Sequence, residues 1–272
     1  MSQSIQKRFL LILLPILALL VGSLAWLWLR PSQEDTAWQD VLGSGVLRVG
    51  LDAAYPPFEY IDERTGAIVG FDVDLAHALG ERLGLQIELH NITYDGLFDA
   101  LLIGNVDVLI SALVAAPDFA GKASFTTPYF NAGEHLVVLQ TSPIRWMEDL
   151  ESRTVAVEYG SGGDVEMRQW QRRLSRVTVL RYSEPNAALD AVLADDADAA
   201  LVDGISAYLS AGQHPDLRIA MPVTDNLFAV AVHPDSLTLL EEIDKALQGM
   251  KEDGTLELLY ERWFSAGIED RS

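Results

Sequence analysis

The sequence predicts an α/β protein of two similar sheet-and-helix units facing each other across a cleft. Three observations carry this. Short apolar runs of strand length alternate with segments of helical periodicity, the pattern of mostly parallel sheets flanked by helices. The alternation occurs twice, and two apolar strands, residues 135–140 and 226–232, bracket the second occurrence. The simplest path has both strands crossing between the units as a hinge. Finally, Asp52 and Asp203 each end a buried strand, where open α/β sheets bind ligands.

The chain begins with a distinct segment. Lys7 and Arg8 precede residues 9–29, which carry no charge. As a helix they would span roughly 31 Å, enough for a bilayer core. The flanking basic residues put the N-terminal side in the cytoplasm and the rest outside. A cleavable signal peptide is the rival, with residues 9–21 as its apolar core and Ser23-Leu24-Ala25 as its cleavage site. The apolar run continues through Trp26 to Leu29, past that site, which favours an anchor. We therefore expect residues 1–30 to be a membrane anchor or signal peptide and 31–37 a polar linker. The folded part would sit on the periplasmic or extracellular face, tethered by residues 9–29.

Residues 46–51 are a buried strand followed by Asp52. Tyr55-Pro56-Pro57-Phe58 is a rigid turn carrying aromatics, because each proline fixes φ. Residues 58–69 read as a hairpin turning at Thr65-Gly66. Asp72 would cap a helix whose apolar face is Val73, Ala76, Leu79 and Leu83, ended by Gly84. Leu85, Ile87 and Leu89 alternate as a half-exposed strand. Tyr94-Asp95-Gly96 is a loop, Leu97 to Leu102 a helix, and residues 106–110 a further strand. The second unit repeats this grammar. A strand at 154–157 leads to the loop Gly160-Ser161-Gly162-Gly163 and a polar helix. A strand at 177–180, a helix from Pro185, and a strand at 199–202 ending at Asp203 follow. Residues 236–250 and 255–264 read as two last helices returning to the first unit.

Composition narrows the function. The chain has no cysteine, which excludes disulfides and thiolate metal sites. After residue 30 there are 16 basic against 40 acidic residues, a formal charge of −24. That argues against nucleic acid as a partner. The five histidines show no metal-ligand spacing, and no nucleophile elbow or P-loop occurs. A glycine run before a helix can bind an anion through its amides, but Asp164 follows it here.

Four blocks carry a resemblance to a known family: LRVGLDAAYPPFEY…GFDVD (47–74), YDGLFDALLIGNVDVLISAL…FTTPY (94–129), ADAALVDGISAY (197–208) and LQGMKEDGTLELLYERWF (247–264). The chain resembles the polar amino-acid-binding proteins of ATP-binding-cassette importers, two-lobed periplasmic binding proteins of the second topological type. The resemblance implies lobe 1 from residues 38–134 plus 233–272 and lobe 2 from 141–225. It implies a non-enzymatic, monomeric receptor without cofactor, closing on a small solute and serving an ABC permease. Matching positions give Asp52 and Tyr55 as a clamp, Tyr94 as a stacking ring, Ser161 and Gly162 as hydroxyl and amide donors, and Asp203 as the acid for an α-ammonium.

One departure stands out. Family members use a small residue, a threonine and, five residues later, an arginine to hold the ligand α-carboxylate. Those positions here are Ala112, Val114 and Phe119, and no arginine lies between Arg82 and Arg145. Burying a carboxylate without such replacement is costly. The acids, with Tyr55, Tyr94 and Phe119 as ring faces, suit an amine-bearing solute instead. The alternatives are a membrane-anchored ligand-sensing domain and an enzyme resembling cyclohexadienyl dehydratase.

Overall fold

The computed structural model describes residues 35–119 and 121–265. The expected anchor or signal segment lies outside them, as do residues 31–34 of the linker. Among the described residues no helix is long and apolar enough to cross a membrane.

Helix α1 (Ala37–Ser44) feeds strand β1 (Val46–Leu51), which buries Leu47, Val49, Gly50 and Leu51. A small antiparallel meander follows: β2 (Ala54–Tyr55), β3 (Glu59–Ile61) and β4 (Ile68–Val69). Its turn is where the sequence put it, with Gly66 at φ 70° and the Asp62 carboxylate accepting the amides of Arg64 and Thr65. Helix α2 (Phe71–Leu83) then ends at Gly84 in the left-handed conformation that favours glycine. β5 (Gln86–Asn91), α3 (Leu97–Leu102), β6 (Val108–Leu109) and β7 (Ser124–Phe125) complete the first stretch.

The chain then crosses over through β8 (Phe130–Asn131) and enters β9 (Glu134–Leu139). β10 (Thr154–Glu158), α4 (Gly162–Trp170), β11 (Thr178–Tyr182), α5 (Pro185–Leu193), β12 (Ala199–Asp203), α6 (Gly204–Gln213) and β13 (Leu217–Pro222) build the second unit. It returns by β14 (Leu227–Phe228) to β15 (Ala231–Val232), α7 (Leu237–Glu252) and α8 (Thr255–Tyr260), closing with a turn of π-helix at Glu261–Ser265.

Two five-stranded sheets result, ordered β5-β1-β6-β15-β7 and β11-β10-β12-β9-β13. In each the first three strands are parallel. β15 is antiparallel to β6, and β9 to β12. Each sheet is covered on both faces, with Leu47, Leu75 and Leu247 in one core and Val138, Val155 and Leu201 in another.

Two expectations need correction. Residues 135–140 were expected to be a hinge strand, yet β9 lies inside the second sheet, paired with β12 and β13. The crossing pair is β8 with β14, only two residues each; residues 231–232 already belong to the first sheet. Asp72 is not the cap of α2. Gly70 holds that position at φ 145°, pressed so closely on Phe58 that a Cβ would collide with its carbonyl. The Phe71 and Asp72 amides are satisfied by the carbonyls of Pro57 and Phe58. The Asp72 side chain is thereby left for another task.

Candidate functional site

A cavity of about 370 Å³ opens at the carboxyl ends of β1 and β6, a volume that fits a small-molecule solute. Its walls include Asp52, Tyr55, Glu59, Tyr94, Ser111, Ala112 and Val114, with Asn226 and Phe228 from the returning crossover. Five residues expected from the sequence thus share one cavity: Asp52, Tyr55, Tyr94, Ala112 and Val114. Asp52 is positioned by its neighbours. Its amide donates to Ser111 Oγ at 3.0 Å, and its Oδ2 accepts the Tyr94 amide at 2.8 Å. Tyr55 and Tyr94 are about half exposed at the rim, and Tyr55 stacks on the buried Phe58 with centroids 5.8 Å apart. Burial, then the charges of Asp203 and Glu59, push the Tyr55 hydroxyl upward, so Asp203 lies within electrostatic reach of this wall.

Beneath the cavity two carboxyl groups meet. Glu59 is 1% exposed and Asp72 fully buried. Ser111 Oγ donates to Glu59 Oε1 at 2.7 Å, and Tyr129 Oη and the Ala112 amide donate to Asp72 Oδ2 at 2.9 and 2.7 Å. Burial, then the Asp72 charge, push Glu59 far above the usual carboxylate range, while Ser111 opposes the shift. Like charges this close cannot both ionise in a dry site. Glu59 is the member of the pair whose neutral form this burial favours. Their polar contacts fix the Ser111–Ala112 backbone, where Ala112 sits at φ 44°, a conformation that needs such support in a residue with a Cβ.

On the second sheet, Asp203 ends β12 and caps α6. Its carboxylate accepts the Ser206 amide at 2.9 Å and the Ser206 hydroxyl at 2.6 Å. Ser161 caps α4: its hydroxyl accepts the Asp164 amide and donates to the Glu158 carbonyl. That hydroxyl is occupied locally. Gly162 and Gly163 are covered by the side chain of Glu134, which begins β9 directly opposite Asp203. Burial, followed by the charges of Asp203, Glu158 and Glu166, pushes Glu134 up to about 7, against a favourable hydrogen bond from the Gly163 amide. Asp164 is buried and bound by both Arg168 and Arg181.

Phe119 is not a ring face of the cavity. It stacks on Phe98 with centroids 4.4 Å apart and packs against Phe125 in the first unit's core. An aromatic ring gains more by burying its faces than by lining a wet cleft, so the segment turns it inward. Glu59, Glu134, Ser111 and Asn226 were missed. Of these, Glu134 did carry a signal, an acid at the head of an apolar run.

Comparison with known proteins follows the same lines. The family model of the bacterial extracellular solute-binding proteins, family 3, matches residues 47–266. The arginine-binding extracellular protein ArtP of Bacillus subtilis is 31% identical over 230 residues, covering 82% of this chain and 88% of its own. An ancestral cationic amino acid solute-binding protein shares 31% identity at a TM-score of 0.57, covering 83% of this chain and 98% of that one. An ancestral cyclohexadienyl dehydratase is 26% identical at a TM-score of 0.70, covering 84% and 95%.

Proposed function

The chain belongs to the bacterial extracellular solute-binding proteins of family 3, the receptors of ABC-type importers, and from that premise we propose that its cargo is a small amine-bearing solute. The observation that carries this is the cavity wall. It presents the Asp52 carboxylate, the buried Glu59 carboxyl and the rings of Tyr55, Tyr94 and Phe228, and among the described residues no arginine or lysine. An ammonium or guanidinium finds charge pairing and ring faces there. A carboxylate finds none of the side-chain cations that would offset its dehydration. The cargo of two relatives, arginine and cationic amino acids, shares the positive charge, though it also carries a carboxylate.

The solute would contact Asp52, Tyr55 and Tyr94 from the first lobe and Asp203 from the second, with closure about the β8–β14 crossing. Residues 9–29 would tether the protein on the outer face of the membrane beside its permease. The likeness to an ancestral dehydratase supports a second reading, an enzyme acting on cyclohexadienyl acids. Such substrates carry carboxylates, which this wall disfavours.

Calorimetry on the purified extracytoplasmic part separates the two. We expect micromolar binding of amines or guanidines and no turnover of cyclohexadienyl acids. Turnover of those acids, or micromolar binding of a neutral or acidic amino acid that persists in Asp203→Asn, would discard the amine reading.

A further inference from the structure

Glu134 is the feature of the cleft that neither the sequence nor the family likeness led us to expect. Its backbone is fixed at the edge of the crossover. The Glu134 amide donates to Thr224 Oγ1 at 2.8 Å, and its carbonyl accepts the Val223 amide at 2.7 Å. Thr224 lies two residues before Asn226, which lines the cavity. From this anchor the side chain lies over the first two residues of α4. A Cβ at Gly162 would collide with Glu134 Oε1, and one at Gly163 would sit 3.0 Å from Oε2. Gly162 thus leaves room for the carboxylate where it lies, while at Gly163 the nearer obstacle to a Cβ is the Leu201 carbonyl. Oε2 is buried and has no hydrogen-bond partner among the described residues.

The amino end of a helix is a ready-made anion site, because its first amides point outward and the helix dipole favours negative charge. In α4 the protein's own carboxylate lies over that place, with Oε1 against Gly162 and Oε2 beside Gly163. Among the described residues no side-chain cation acts on Glu134. The groups acting on Glu134 are Asp203, Glu158 and Glu166, all acidic. The nearby arginines on α4 and β11, Arg168 and Arg181, are both bound to Asp164. The second side of the cleft thus offers negative charge where a ligand carboxylate would need donors.

Building on the amine reading above, we propose that Glu134 sets the charge selectivity of this receptor. It fills the amino end of α4 from within, excludes solutes that carry a carboxylate beside their amine, and joins Asp203 in receiving the cation. The cargo is then a carboxylate-free cation, such as a decarboxylated amino acid, a polyamine or a quaternary amine. Ion pairing stabilises the ionised form of Glu134, so binding releases the proton that the empty cleft retains in part.

Two experiments test this, both on the purified extracytoplasmic part. The first is calorimetry with matched pairs, agmatine against arginine and cadaverine against lysine. We expect the decarboxylated member to bind at least tenfold tighter, and Glu134→Gln to shrink that ratio to below threefold. Arginine or lysine binding as tightly as its partner overturns the proposal. A tenfold ratio that Glu134→Gln leaves intact removes the role from Glu134 while the amine reading stands. The second needs no cargo. Removing the carboxylate should open the helix end, so millimolar formate should raise the melting temperature of Glu134→Ala but not of the parent. Equal response of both proteins overturns the self-filled site even if none of the four solutes binds.

Discussion

Asp203 caps α6, and its charge also acts on the Tyr55 hydroxyl. Asparagine caps a helix as well as aspartate does, so Asp203→Asn removes the charge and spares the cap. We expect it to melt within about 2 °C of the parent, a shift of under 1 kcal/mol at this size. We expect amine affinity to fall about tenfold or more, the usual cost of losing a charged hydrogen bond. A variant that melts far lower yet binds normally would make Asp203 only a cap. Glu134 allows a test by pH. Its folded carboxyl is pushed up to about 7 from 4.5, chiefly by burial. A group raised in this way contributes stability that is fully present below its unfolded value and is lost as pH climbs to about 7. Glutamine mimics the protonated form at every pH. Glu134→Gln should therefore match the parent near pH 4 and melt a few degrees higher at pH 8. Equal melting temperatures at pH 8 would show that the carboxylate is well solvated.

At the scale of elements, the segment between β6 and β7 lines the cavity with Ser111, Ala112 and Val114, and it was only half legible. Ala112 and Val114 reach the cavity because residues 113–115 pair with the returning crossover: the Ala115 amide donates to the Leu227 carbonyl, and the Ala229 amide to that of Leu113. Spacing assigned Phe119 to the position of the family's arginine but could not say which way its ring turns. We expect Phe119→Leu to cost about 1–2 kcal/mol, by loss of the Phe98 stack and of volume, and to leave ligand affinity unchanged. A tenfold loss of affinity at unchanged stability would return the ring to the cavity. The cavity-lining residues Asp52, Tyr55 and Tyr94 were legible because chain direction fixes which ends of the parallel strands open on the cavity. Glu59 was not. In Phe58-Glu59-Tyr60 it occupies what reads as a solvent-facing alternate position, and only its distant partners Asp72 and Ser111 make burial tolerable. The hinge was misplaced for a similar reason. Apolar runs report burial but not which sheet buries them, and β8 and β14 are too short to show any period.

Across the whole molecule, the two sheets are joined by more than the crossing pair. Tyr208 on α6 of the second unit packs on Phe130, Tyr260 and Phe264, with centroids 5.3, 5.3 and 5.8 Å apart. Phe130 also lies 5.0 Å from Phe58 and 5.8 Å from Phe228, centroid to centroid. One aromatic cluster thus runs from the floor below the cavity to the C-terminal turn, beside the β8–β14 crossing. Closely packed rings have discrete arrangements rather than a soft continuum, so closure should turn about this cluster and not through it. Two consequences follow. Small-angle scattering should show the radius of gyration falling when a bound solute saturates the protein, because both lobes then touch it. An unchanged radius with ligand bound would exclude hinge closure. Tyr208→Ala should loosen the pivot while leaving the cavity wall intact. We expect it to lower stability by about 2–3 kcal/mol, as loss of a largely buried ring does, and to widen the ligand-free scattering profile. The closed radius should stay unchanged, since the solute itself then holds the lobes together. A closed form as expanded as the ligand-free one in Tyr208→Ala would mean that the cluster, and not the solute, supplies the contact that closes the cleft.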